Sequence, residues 1–499
     1  MAFTLRGDYF HGNFTLNTKA DETIKKESPA DLSNHLWSAN INYDNTNKVI
    51  ASALEGFDIW RKLSVTDRVN YLKKYQDEVN KRKDDIALAI ALETGKPLWE
   101  SLTEAGAVSA KVNVTITDSL KRIETNTIEN VLPSIDGHTI KKPLGPTLII
   151  GPFNFPCHLA NGQILSALLT GNSIIFKPSE KTIYSSQILI ECFHSAGFPK
   201  GVINFINGTA KTTQDIIKHP QISGINFTGS LGVGKKILEA VGSDLTKLVA
   251  LELGGKNTTI LHKDTNIDHA LPELLRACYL SSGQRCTSTS MVAVHKSIED
   301  EFINKFKALT QRIIVDHPTE FKELPFMGPV IDKNAKDLYE KFCKLGVNNG
   351  AENIIGLANV ETSFDGHYVN PTVHYIKEAK KSNPFTQEEI FGPNCTFTPY
   401  ENIEDAIDIA NISDYGLAAS IFTQDKDIYH QCVRDIDAGI INLNRSTVGA
   451  SSRLPFGGVK NSGNHHPAAV SMVDHTVSTV ASLETYDNSS KIEDVKGLK

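Results

Sequence analysis

The chain of 499 residues has little of what specialised architectures need. Its seven cysteines are odd in number and none sits in a C-x-x-C pair, which argues against a disulfide framework and a zinc site and suits a reducing compartment. No apolar run approaches the roughly 20 residues of a membrane span. Positive charge is not in excess: the formal net charge is −7, so nothing calls for nucleic acid or an acidic membrane surface. Residues 1–9 (MAFTLRGDY) lack a basic stretch followed by an apolar core, so no secretory signal and a cytoplasmic location are expected. Repeats and low-complexity tracts are absent.

What is present is ordinary for a globular protein, with 40% hydrophobic and 22% charged residues. The length suggests roughly two to four structural units of ~100–200 residues. Residues 44–112 read as helices, with Ser64 and Asp67 resembling a capping box ahead of Val69, Leu72 and Tyr75. Residues 124–142 read as an extended segment or hairpin. From 145 to 263 short apolar strands (147–151, 173–177, 202–206, 224–228, 248–253, 258–261) alternate with helices (159–169, 184–196, 212–218 and one beginning at 234). Such β-α repeats predict an α/β fold with a parallel sheet, which binds ligands at the C-terminal ends of its strands. A second α/β stretch spans about 266–440, opening with a helix over 268–282. A Gly/Asn-rich loop (442–463), a β-rich tail (476–483) and a polar end follow.

Several segments carry chemistry. Cys286, in Ser282-Gly283-Gln284-Arg285-Cys286-Thr287, lies on a glycine-flanked polar turn, as a nucleophile does. Glu252 is followed by Leu253-Gly254-Gly255, so water and substrate can approach it, as a general base requires. Phe227-Thr228-Gly229-Ser230, running on to Gly234, joins a strand to a helix. It fits a phosphate site at a helix start or a plain turn. Lys177-Pro178-Ser179-Glu180 fits ribose binding, or a surface Lys before a helix capped by Ser179. Asn154, held between Pro152 and Pro156, fits an oxyanion donor or an ordinary turn Asn. Glu388 and Glu389 before Phe391-Gly392-Pro393 fit a solvated pair, or an acid holding a ribose beside a ring that supports a nicotinamide.

Together these segments, with Pro455-Phe456-Gly457-Gly458 last, stand in the order of the aldehyde dehydrogenase superfamily, which the chain resembles over nearly its whole length. The resemblance implies that Cys286 attacks an aldehyde to form a thiohemiacetal, then a thioester. Asn154 and the Cys286 N–H would stabilise the oxyanion, and Glu252 would activate the hydrolytic water. It implies NAD as cofactor: Lys177, Ser179 and Glu180 at the adenine ribose, Gly229, Ser230 and Gly234 along the pyrophosphate, Glu389 and Phe391 at the nicotinamide end. An acid such as Glu180 at the ribose disfavours a 2′-phosphate, hence NADP. Retention of Glu252 favours a free acid over a coenzyme A ester.

Local details, among them Ser462-Gly463-Asn464-His465-His466-Pro467 and Cys157-His158-Leu159, resemble the N-succinylglutamate 5-semialdehyde dehydrogenases of arginine breakdown by the succinyltransferase route. A substrate with two carboxylates wants cations or donors, for which Arg285, Arg445, Arg453, His158 and His465 are candidates, with Phe456 beside them. Phe153 stands where many members have Trp, and Lys460, Asn461, His466 and Arg453 also depart from the pattern. Succinate or glutamate semialdehyde is the alternative substrate, with NAD or NADP. A binding protein on an inactive scaffold and a cofactor-free thiol acyltransferase compete less well, given Glu252, Asn154, Lys177 and Glu180. The implied architecture is a Rossmann-type NAD domain (1–123 and 143–253), an α/β catalytic domain (254–463), a small β oligomerisation arm (124–142 and 464–490) and a polar tail (491–499). A homodimer or dimer of dimers is expected, with no metal.

Overall fold

The computed structural model describes residues 2–486 and 496–497; the expected polar tail lies, apart from those two residues, outside the described residues. Two seven-stranded sheets, each flanked by helices, make an α/β fold. In the first sheet Leu248–Glu252, Gly224–Thr228, Thr147–Ile150, Ile174–Lys177 and Ile203–Phe205 run parallel, in that order, and Asp8–Phe10 and Asn13–Thr15 add an antiparallel edge. The four-residue strands Thr147–Ile150 and Ile174–Lys177 are buried along their whole length. Strands covered by helices on both faces read as continuous apolar runs, which is why they stand out in the sequence.

Residues 44–112, expected to be helical, divide into Asn45–Trp60, Val65–Lys81, Lys83–Thr94 and Leu98–Val114. Ser64 caps the second by accepting the Asp67 N–H at 3.1 Å. The second and third of these pack on Ile183–Ser195, where the Tyr75 and Phe193 rings stack at 3.7 Å. The N-terminal hairpin Glu22–Ser28/Asp31–Ile41 had no sequence signal. It is fixed by Trp37, whose Nε1–H donates to Glu93 at 2.6 Å.

The second sheet runs Glu352–Ile355, Thr372–Tyr375, Asn394–Tyr400, Thr289–His295, Asn257–Leu261, Ala418–Phe422, Ile440–Leu443, all parallel but the first. A third, three-stranded sheet joins the hairpin Asn126–Leu132/Ile135–Pro143 to Val477–Glu484. The helix expected over 268–282 stops at Tyr279, because Ser281 and Ser282 turn left-handed. The helix expected from 234 begins at Leu231. The loop expected over 442–463 contains the short strands Pro455–Phe456 and Val459–Lys460. Among the described residues no helix is long and apolar enough to cross a membrane.

Candidate active site

Parallel strands deliver their C-terminal ends to one edge. Asn154 follows Thr147–Ile150, Lys177 ends its strand, Gly229 and Ser230 follow Gly224–Thr228, and Glu252 ends the edge strand. Only Leu253, Gly254, Gly255 and Lys256 then separate Glu252 from Asn257, the first residue of a central strand in the second sheet. That short link sets the C-terminal edge of one sheet against the N-terminal edge of the other. Cys286 precedes Thr289–His295 and Glu389 precedes Asn394–Tyr400, so both arrive in the same gap.

The Cys286 loop is held from several elements. Ser281, Ser282 and Gly283 have φ of 54°, 54° and 70°, a strained run of the kind that clusters at functional sites. The Glu100 carboxylate keeps it in place, accepting from the Ser281 N–H at 3.1 Å, the Ser281 hydroxyl and Arg285 at 2.5 Å. Arg285, considered above as a substrate cation, is thus turned to Glu100. Gly283 has to be glycine: a Cβ there would lie 2.2 Å from the Gly392 carbonyl oxygen. Asn154 Nδ2 donates to the Gln284 carbonyl at 3.0 Å, which leaves its second N–H for another acceptor. Asn257 Nδ2 donates to the Cys286 and Ser288 carbonyls at 2.7 and 2.8 Å, and its Oδ1 accepts the Ala418 N–H at 2.9 Å.

Two carboxylates face the thiol. Glu252 is buried and neither of its oxygens has a hydrogen-bond partner, so burial pushes its pKa well above the usual carboxylate range. Glu389 Oε1 accepts the Gly255 N–H at 3.1 Å. Burial raises its pKa to about 7, against the pull of that N–H and of Lys256. Cys286 keeps part of its surface open, while the six other cysteines are buried. Its thiol pKa is raised by burial first and by the Glu252 and Glu389 charges next, with Arg285 opposing.

On the first sheet, Leu231–Val241 begins behind Ser230 with no acid in its first turn and no side chain capping its N–H groups. An exposed helix start of this kind suits a phosphate. Gly229 N–H donates to the Glu252 carbonyl at 3.0 Å, tying this turn to the acid's strand. Gly234 is buried in the helix, where a Cβ would lie 2.9 Å from Leu253. Lys177 Nζ donates to the Pro178 and Gly208 carbonyls at 2.6 and 3.1 Å and lies 3.9 Å from Glu180. The Ser179 hydroxyl accepts the Lys181 N–H at 3.3 Å rather than capping the next helix, which starts at Ile183 behind Thr182. Phe391, at φ 51°, meets Phe153 edge-on at 5.8 Å.

Of the other substrate candidates, Arg445, Arg453, His465 and Phe456 lie within residues 445–465. Arg445 is exposed and its backbone carbonyl accepts the Ser420 hydroxyl. Arg453 pairs with Asp118 at 2.8 Å. His465 sits at φ 63° against the His475 ring, 5.5 Å away, and Phe456 pairs in a short strand with Ala468. Sequence reasoning missed Glu100 and Asn257 and noted Asn464 only within a motif; their roles are contacts made across the fold. Asn464 Oδ1 accepts the Leu251 N–H at 2.7 Å beside Glu252.

The chain is 36% identical, over 88% of its length and 91% of the relative's, to an N-succinylglutamate 5-semialdehyde dehydrogenase of Novosphingobium aromaticivorans. Among solved structures it matches PnpE in complex with nicotinamide adenine dinucleotide, with TM-score 0.91, 30% identity and 98% of each chain covered. It also matches an Escherichia coli NADP-dependent enzyme, with TM-score 0.90, 25% identity, and 96% of this chain and 98% of the other covered. Residues 16–481 match the aldehyde dehydrogenase family. A thiol-bearing loop and an acid-bearing strand end meet between the two α/β sheets, and the chain belongs to the aldehyde dehydrogenase family, as an aldehyde-oxidising enzyme.

Proposed function

We propose that this enzyme oxidises N-succinyl-L-glutamate 5-semialdehyde to N-succinyl-L-glutamate with NAD, in arginine breakdown by the succinyltransferase route. The observation that carries the chemistry is the meeting of Cys286 with the unpartnered, buried Glu252 carboxylate in the gap between the sheets. The substrate name rests on the relative so named. The uncapped helix start at Ser230, and Lys177 with Glu180 at the neighbouring strand end, fit a dinucleotide.

Glu252 takes the thiol proton and passes it to water as Cys286 Sγ bonds to the aldehyde carbon, and the carbonyl oxygen, now anionic, accepts from the free N–H of Asn154 and from the Cys286 backbone N–H. NAD, held by the residues named above, would supply the hydride acceptor that lets the adduct become a thioester, and a positively charged ring that favours the thiolate. Glu252 takes a proton from the water that attacks the resulting thioester; the carbon–sulfur bond breaks and the free acid leaves. Glu252 hydrolyses this ester without a second acceptor, so coenzyme A has no part. Glu180 disfavours a 2′-phosphate, and NAD is preferred to NADP. Residues 1–123 and 143–253 serve the cofactor, 254–463 the catalytic thiol, and 124–142 with 464–490 the contact with a second copy.

The test is formation of reduced nicotinamide from N-succinylglutamate semialdehyde against succinate and glutamate semialdehydes, with NAD and NADP, in the wild type and in Cys286→Ala. Preference for the succinylated aldehyde and for NAD, with at least a thousandfold loss in Cys286→Ala, is expected. Preference for another aldehyde overturns the substrate, and undiminished turnover in the variant overturns the nucleophile.

A further inference from the structure

Lys111 lies in the helix Leu98–Val114, 2% exposed, and its Nζ has no hydrogen-bonding partner. His158 opens the helix that follows the Asn154 loop, and its Nδ1 is also buried without a partner. The two groups are neighbours. Lys111 Cε lies 3.3 Å from where a Gly162 Cβ would be, and Gly162 shares a helix face with His158 one turn back. The ammonium charge also bears on the imidazole, whose pKa is lowered by burial first and, among its other charged neighbours, by Lys111.

A buried ammonium with no acceptor is unfavourable unless an anion joins it. Glu104, at the same helix start, is already engaged: Oε1 accepts the Cys157 and His158 N–H groups at 3.1 Å each, and Oε2 accepts Lys96 Nζ at 2.6 Å. Burial lowers the Lys111 pKa to about 8, as an unneutralised cation requires. His158 follows Asn154 by four residues, so the two Cα atoms are at most about 14 Å apart. The pair thus sits on the element next to the candidate oxyanion donor, on the side where a carboxylate remote from the carbonyl would be met.

We propose that Lys111, with His158 beside it, forms the subsite that binds a carboxylate of the substrate and selects acidic aldehydes. This rests on the function proposed above for the acidic character of the aldehyde, though not on which acid it is. Lys111→Met, which keeps the length and removes the charge, and Lys111→Gln, which keeps a polar end, are compared with wild type. The substrates are N-succinylglutamate semialdehyde, succinate semialdehyde and uncharged pentanal.

The ratio of kcat/KM for the preferred acidic aldehyde to that for pentanal falls at least tenfold in both variants, through KM. An unchanged ratio, or a loss shared equally by pentanal, overturns the subsite. Wild-type preference for succinate semialdehyde overturns the substrate proposed above, while a falling ratio with that aldehyde still upholds Lys111. Wild type that does not discriminate acidic from uncharged aldehydes overturns both.

Discussion

At the residue scale the thiol of Cys286 sits among groups that oppose its ionisation. Burial and the two carboxylates raise its pKa, and the cation that opposes them, Arg285, is turned to Glu100. The free enzyme therefore holds a thiol rather than a thiolate at neutral pH, which slows its oxidation. A raised pKa means that thiolate appears only as pH climbs past the ordinary cysteine midpoint of about 8.5, and is silenced below it. Alkylation by iodoacetamide, followed by mass spectrometry of the Cys286 peptide, is accordingly expected to have its midpoint above that value in the cofactor-free protein. The other six cysteines are buried, so the label reports this one. Glu252→Gln removes a like charge, and its midpoint moves down. A midpoint that stays put in Glu252→Gln would mean that the two groups do not interact.

At the element scale, Glu252 depends on how its edge strand is closed. One side of Leu248–Glu252 pairs with Gly224–Thr228, and the other is covered by residues 462–464. There the Leu253 N–H donates to the Ser462 carbonyl at 2.9 Å and the Asn464 N–H to the Leu251 carbonyl at 3.1 Å. Gly463 has φ 142°, and a Cβ on it would lie 2.3 Å from the Leu251 carbonyl oxygen. Gly463→Ala is therefore predicted to cost about 1–3 kcal/mol by chemical denaturation, strained backbone being worth that much. It should also lower kcat more than it raises KM, because Glu252 moves. Wild-type stability and kcat in this variant would refute the argument.

The same region marks what could be read from the chain. The parallel strands were legible because burial on both faces writes itself locally as an apolar run, and the candidate segments because Gly- and Pro-marked turns border those runs: Asn154, Lys177, Gly229 and Glu252 at strand ends, Cys286 and Glu389 ahead of strand starts. The end of the helix at Tyr279 was not: Ser281 turns because Glu100, 181 positions away in sequence, accepts its N–H. Lys111 was equally hidden, since a lysine among helix residues reads as solvated surface until the fold buries it.

At the scale of the whole molecule, two of the sheet edges among the described residues bear on how copies of the chain meet. The outer strand of the small sheet, Asn126–Leu132, is exposed throughout, with Ile128, Val131 and Leu132 at 54%, 41% and 48%. Ile440–Leu443 ends the second large sheet and is only half-buried. Open edges of this kind pair with another chain. If each arm adds to the other copy's Ile440–Leu443, two copies close both edges at once about a two-fold axis. The hydrogen-bond pattern offers a selective test. Ile440 and Asn444 donate their N–H groups inward, to the Leu417 and Ile421 carbonyls at 3.0 and 2.8 Å. By alternation Ile441 points its N–H outward. Ile441→Pro removes that outward donor while leaving the inward bonds in place, and proline is tolerated at strand edges. Light scattering should give at least twice the chain mass for wild type and a shift toward the single-chain mass for Ile441→Pro, with the fold retained by circular dichroism. A wild type that is monomeric, or a variant with unchanged mass, would mean that these edges do not meet.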